Sequence, residues 1–271
     1  MDYRVYGPGE GLSRYIKCYW TLQGDESPAA PARERIFPDG CMEWIFQYGD
    51  LFTKHTAGGT VLQPRSFVHG QLKRYIEISP TGRTGVFSVR FRPHGLRPFI
   101  GRDAGGLAGE MVPTHTLWGE AGAGLERSVL QAETAEVRIR LVEAFLLARL
   151  DDSADPGGTV HRCVEAIEEQ AGMVSVDHLA ADACLGRRQL ERKFMEHVGL
   201  TPKLLARIVR FNHVLRLIEQ REYDSRARLA QEGGFYDQAH FVKDFRDFTG
   251  LNPATYFSED LDLVKFFNLG G

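Results

Sequence analysis

Four cysteines in 271 residues, at 18, 41, 163 and 184, form no Cys-x-x-Cys pair. A disulfide framework is therefore not expected, and a reducing compartment fits better. No run approaches ~18 apolar residues, so no transmembrane helix is expected. The opening Met1-Asp2-Tyr3-Arg4-Val5 lacks an apolar signal segment, which points to a cytoplasmic protein. Neither sign of charge dominates: 33 Lys and Arg stand against 36 Asp and Glu. That weighs against non-specific coating of nucleic acid, which needs a large positive field. It leaves room for specific binding through a local basic face. His55, His69, His94 and His115 are isolated, with no His-x-His, so no metal is expected. Cys41 and Cys163 have no sequence-adjacent histidine to activate them. Gly105-Gly106 and Gly157-Gly158 lack the Lys-Ser/Thr of a phosphate loop. The sequence thus offers no cofactor site and no catalytic constellation.

What the sequence does have is a duplication. The first copy runs from Leu179-Ala180 through Leu185-Gly186 and Arg187–Phe194 to Gly199-Leu200-Thr201-Pro202. The second runs from Leu229-Ala230 through Phe235-Tyr236 and Asp237–Phe245 to Gly250-Leu251-Asn252-Pro253. Each reads as helix, tight turn, helix, glycine stop and new helix. Thr201-Pro202 and Asn252-Pro253 pair a capping residue with proline at the first helical position. Between the copies, Leu204, Leu205, Ile208, Phe211, Val214, Leu215 and Ile218 mark a helix from Pro202 to about Gln220. At ~1.5 Å per residue it spans roughly 27 Å, close to the ~34 Å of one DNA turn.

In a helix-turn-helix the first helix braces the second, which enters the major groove. Ala180, Ala183, Leu190 and Phe194 supply the inner stripe of one unit; Ala230, Gly234, Phe241 and Phe245 supply the other. The outward positions are Arg187, Arg188, Glu191 and Arg192 in the first unit and Gln238, Ala239, His240 and Lys243 in the second. Arginine pairs bidentately with guanine, glutamine with adenine; glutamate accepts from cytosine and alanine touches a thymine methyl. Lys193 and Arg246 suit phosphates.

The first half reads differently. Ile16–Leu22, Met42–Tyr48, Tyr75–Ser79 and Val86–Arg92 are strand-like runs closed by Gly/Pro turns. In the last run Phe87, Val89 and Phe91 share one face, and Ser88, Arg90 and Arg92 the other. Such strands suggest a sandwich or barrel. Trp20, Trp44, Arg90 and Arg92 are the candidate lining of an effector pocket, with Arg90 or Arg92 holding an anionic group. Val137, Leu141, Val142, Phe145, Leu146 and Leu150 give an amphipathic helix over about 133–150, which either packs on its own barrel or forms a dimer seam. Residues 151–158, Asp/Pro/Gly-rich, read as a linker. The fold class expected is α+β in two domains. A β-barrel with helices occupies 1–150, and an all-α tandem helix-turn-helix domain occupies 159–258, followed by a tail over 259–271.

The second unit, Gly234-Phe235-Tyr236-Asp237-Gln238-Ala239-His240-Phe241-Val242-Lys243-Asp244-Phe245, with Thr249-Gly250-Leu251-Asn252-Pro253 after it, resembles the signature of the AraC/XylS transcription regulators over about residues 160–257. The first unit departs in Gly186, where that family usually has serine; glycine caps a helix at a cost of only ~0.3 kcal/mol. Arg35–Glu43 and Val89–Gly95 look like motifs of cupin-like sensor domains attached to such regulators. The resemblance implies double-stranded DNA, a small-molecule effector, RNA polymerase and a second copy of the chain as partners. Cupin-type chemistry beside the DNA module is the alternative, and an architectural protein using its helices for protein partners is a third reading.

Overall fold

The protein was analysed as a computed structural model, which describes residues 1–24, 33–151, 155, 158–219, 232–235 and 237–256. The first half is β-rich. Strands β1 (Asp2–Tyr6), β2 (Ile16–Gly24), β9 (Thr84–Phe91), β4 (Glu43–Gln47), β7 (Ser66–His69) and β10 (Met111–Pro113) form one antiparallel sheet in that order. A second sheet runs β3 (Glu34–Ile36), β8 (Ile76–Pro80), β5 (Phe52–Thr56), β6 (Gly59–Leu62). Of the expected sandwich or barrel, the described strands form two separate sheets and no closed barrel. Both faces of β9 are buried, because each packs against something different.

Alternation decides which side chain goes where. Tyr19, Trp44, Phe46, Val68, Phe87, Val89 and Phe91 face helices α2 (Thr114–Gln131) and α3 (Ala135–Leu147). Leu125 and Val129 of α2 and Val142 and Leu146 of α3 complete that core. Thr134 caps α3, its hydroxyl accepting from the Val137 N–H at 3.3 Å. The 133–150 helix therefore packs on its own sheet. The opposite face carries Cys18, Trp20, Leu22 and Val86, which meet Phe52 and Ile78 of the second sheet. A short helix, α1 (Arg97–Ile100), and a 3-10 turn (Ala104–Leu107) lead from β9 to β10.

The second half is helical: α4 (Thr159–Glu169), α5 (Val176–Asp182), α6 (Arg187–His197), α7 (Pro202–Glu219), α8 (Gln238–Thr249) and α9 (Pro253–Tyr256). Val160, Val164, Ile167, Leu190, Phe194, Ile208, Phe211, Phe241 and Phe245 converge in one core. The two expected caps, Thr201 and Asn252, are made, and Ser175 makes a third. Ser175, Thr201 and Asn252 accept from the N–H groups of His178 (3.0 Å), Leu204 (3.2 Å) and Thr255 (2.9 Å). Most of the 151–158 linker, Leu229, Ala230, Tyr236, the end of the 159–258 segment and the 259–271 tail lie outside the described residues.

The two halves touch. Phe37, just after β3, is 1% exposed and belongs to the helical core, its ring 6.1 Å from that of Phe211. The Asn212 amide donates to the Pro38 carbonyl at 2.8 Å, and the Tyr75 N–H donates to the Phe248 carbonyl at 3.1 Å.

Candidate nucleic-acid interface and interior cavity

In the first unit the chain passes from α5 through Cys184, at φ 52°, to Gly186, which caps α6 with extended backbone and no side chain. Leu190 and Phe194 turn inward, leaving Arg187, Arg188 and Arg192 exposed and Glu191 half-exposed. Arg187 is partly engaged within the protein: its guanidinium lies 3.4 Å from Asp177 and 3.3 Å from Glu191. Arg188 and Arg192 make no ion pair with a described residue.

In the second unit Gly234 sits at φ 65°, where a Cβ would lie 2.4 Å from the Met173 sulfur; only glycine fits that turn. Asp237 caps α8, accepting from the His240 N–H at 2.7 Å. Gln238, Ala239, His240, Lys243 and Arg246 are exposed along the outer face. Phe241, Phe245 and Phe248 anchor the inner face. The His240 ring also stands edge-on to Phe235 at 5.7 Å, so part of this side chain is committed to the fold.

Sequence reasoning missed what holds α8 in place. Asp244 is 1% exposed and takes a two-pronged contact from Arg207 of α7, at 2.7 and 3.2 Å. The same guanidinium reaches Asp247 at 3.1 Å. These bonds to Asp244 raise the pKa of Arg207, so the clamp stays charged. A buried carboxylate requires such a partner. The only signal in the sequence is an aspartate on the inner stripe, which nothing local explains.

Between the two sheets lies a cavity of about 80 Å³, lined on its apolar side by Trp20, Leu22, Ile36, Phe52, Ile76 and Ile78. Its polar side is a row across three strands: Arg90 on β9 is level with Glu43 on β4, which is level with His69 on β7. Arg90 is 3% exposed; its Nε lies 2.6 Å from Glu43 and 3.6 Å from Asp39. Burial opposes its charge, but the two carboxylates outweigh that and hold it protonated. Glu43 also accepts from Trp20 Nε1 at 3.0 Å and from the Ser88 hydroxyl. His69 is 6% exposed and is pushed down to about 4 by burial, so it is neutral at pH 7.

Of the four candidate pocket residues, Trp20 and Arg90 line this cavity. Trp44 does not: it points to the helical face, donating to the Thr114 hydroxyl at 2.8 Å beside Trp118. The parity of β4 decides this, since Trp44 alternates with Glu43 and Ile45. Arg92 lies one residue past β9 and turns to the Ser13 carbonyl at 3.0 Å. Arg90, one of the two arginines expected to hold an anion, is paired within the protein with Glu43 and Asp39. The other histidines are dispersed. His55 pairs with Ser79, His94 stacks near His161 between the two halves, and His115 is exposed.

Comparison with known proteins finds matches over two parts of the chain. Residues 4–113 match a domain of unknown function (DUF6597), and residues 179–259 match a helix-turn-helix domain. An uncharacterized HTH-type transcriptional regulator of Haemophilus influenzae is 31% identical over 81 residues, 30% of this chain and 27% of that protein. The HTH-type transcriptional regulator MtrA of Neisseria gonorrhoeae is 28% identical over 99 residues, 36% of this chain and 33% of that one. The matched segment thus spans about a third or less of either relative's length. Among solved structures, ToxT from Vibrio cholerae superposes with a TM-score of 0.45 at 11% identity, over 89% of this chain and 99% of that one.

Proposed function

We propose that this chain, whose residues 179–259 match a helix-turn-helix domain, is a sequence-specific transcription regulator of the AraC type reading two successive turns of major groove. Arg188, Glu191 and Arg192 of α6 read one block of bases. Gln238, Ala239 and Lys243 of α8 read the other, with Arg187, His240 and Arg246 supporting backbone contacts and helix position. The observation that carries this reading is a pair of exposed polar helix faces joined by the 18-residue helix α7. Its rigid length suits a span of one helical turn of DNA.

On the same reading the cavity binds a small molecule without transforming it, and the protein works in the cytoplasm as a homodimer beside RNA polymerase. Support for control by a ligand comes from Phe37, which both lines the cavity and lies in the helical core. An effector that favours one placement of Phe37 shifts DNA affinity, and DNA shifts effector affinity by the same factor. Selection of bound duplexes from a random pool by the purified protein tests the proposal. A site with two specified blocks about 10 base pairs apart is expected; no enrichment over random sequence would reject it.

A further inference from the structure

Resting on the reading that the cavity takes an effector, we infer that this effector is a small neutral or cationic molecule with an apolar body and a hydrogen-bond donor, and not an acid.

Charge comes first. Beside the cavity the buried cation Arg90 stands against two partly buried carboxylates, Glu43 at 2.6 Å and Asp39 at 3.6 Å. The sum of these three groups is one negative charge. Glu43 is engaged by Arg90, Trp20 and Ser88, so the arginine acts as an internal counter-ion and not as an anion trap. A carboxylate entering this space would meet two of its own sign at low dielectric, where repulsion is poorly screened.

Hydrogen bonding comes second. The His69 ring has its Nδ1 2.8 Å from the Gly70 carbonyl, which fixes the proton on that nitrogen. Its Nε2 is then a bare acceptor, buried and without a partner. Buried acceptors left unmatched are costly and uncommon. A ligand O–H or N–H placed there removes that cost, whereas a carboxylate has nothing to donate. The remaining lining, from Trp20, Leu22, Ile36, Phe52, Ile76 and Ile78, accepts an apolar body. At ~10–15 Å³ per water-sized group, a cavity of about 80 Å³ takes roughly five to eight heavy atoms.

Four probes with a common phenyl body separate these terms: benzyl alcohol and benzylamine with eight heavy atoms, toluene with seven and benzoate with nine. Each is titrated into the full-length protein while the methyl NMR signals of Ile36, Ile45, Ile76 and Ile78 are followed. Benzyl alcohol and benzylamine are expected to bind at least tenfold more tightly than benzoate and at least threefold more tightly than toluene. His69→Leu should erase the preference of alcohol over toluene while toluene still binds, which also reports that the variant is folded. Asp39→Asn should weaken benzylamine and strengthen benzoate. Benzoate binding as well as benzylamine would overturn the inferred class while leaving an effector cavity standing. An unchanged alcohol preference in His69→Leu would overturn the role of Nε2. Failure of all four probes would overturn the inference. Failure of a broad metabolite screen as well would remove the effector reading itself.

Discussion

Arg188 and Arg192 differ from Arg187 in one respect that sets their weight in recognition. Arg187 is shared between Asp177 and Glu191, so on the proposed reading any contact it makes to DNA is offset by the bonds it gives up. Alanine at 188 or 192 should cost about 1–3 kcal/mol of specific binding and relax base preference in one block of the site. Alanine at 187 should cost less, as read by titration against a cognate duplex. Asp244→Ala removes the buried partner of Arg207, leaving it only the exposed Asp247, and should destabilise the helical half by ~2 kcal/mol, with α8 loosening first; denaturant unfolding measures it. Acid should also weaken the fold. Burial pushes His94 down to about 3 and His69 to about 4, below the ~6.5 of an unfolded histidine. The unfolded chain therefore binds more protons between those values, and stability present above pH 6.5 falls away toward pH 4. The midpoint of thermal unfolding should drop over that window, less steeply in His94→Gln; equal slopes would refute the assignment. Such residues were only half legible in the sequence. Alternation placed Phe87, Val89 and Phe91 on one face and Arg90 on the other, as found. It could not say that Trp44 belongs with the phenylalanines, because register between strands is a tertiary property.

Elements were legible where their pattern was strong. Helix α7, with its proline start and apolar stripe, appears over Pro202–Glu219, within the expected span; residue 220 lies outside the described residues. Strands β2, β4, β8 and β9 fall within two residues of their apolar runs. Helix α2 was hidden, because Gly119, Gly122 and Gly124 depress its propensity and Gly119, at φ 57°, interrupts it. Gly122 is nonetheless required, since a Cβ there would lie 2.8 Å from the Thr114 carbonyl oxygen. The short strands β3, β6 and β10 are three or four residues long and carry too little pattern to detect. The segment between β3 and β4 has the largest mechanical consequence. Gly40, at φ 81°, packs against Leu205 of α7, and Gln71 donates to its carbonyl at 2.7 Å. Phe37→Ala should cost ~3 kcal/mol at the contact between the halves. Calorimetry should then show the halves melting separately where the parent melts as one; a single unchanged transition would deny the coupling.

At the scale of the whole molecule, the two halves meet at several places, Arg97 beside Glu196 and His94 beside His161 among them, and one of these contacts is a bridge into the helical core. The sheet core and the helical core meet through Phe37 and Tyr75, so control of DNA binding has a physical route from the cavity to α7 and α8. The fragment from Thr159 onward should fold, melt lower than the same half in the full chain because Phe37 is gone, and bind DNA more weakly if the first half pairs two copies. Equal affinity on a site with two repeats would count against pairing. The strand-rich first half and the helical second half were readable from alternating spacing before the linker and from helical spacing with duplicated caps after it. The bridge was not, because it joins residues more than 170 positions apart, Pro38 and Asn212 among them. The central claim is that α6 and α8 read different base pairs. Its most direct test is a base-resolved binding profile, with every single substitution of the selected site measured against the parent, Arg192→Ala and Gln238→Ala. The account predicts that Arg192→Ala flattens one block and Gln238→Ala flattens another about 10 base pairs away; loss of preference at the same base pairs in both variants would contradict it.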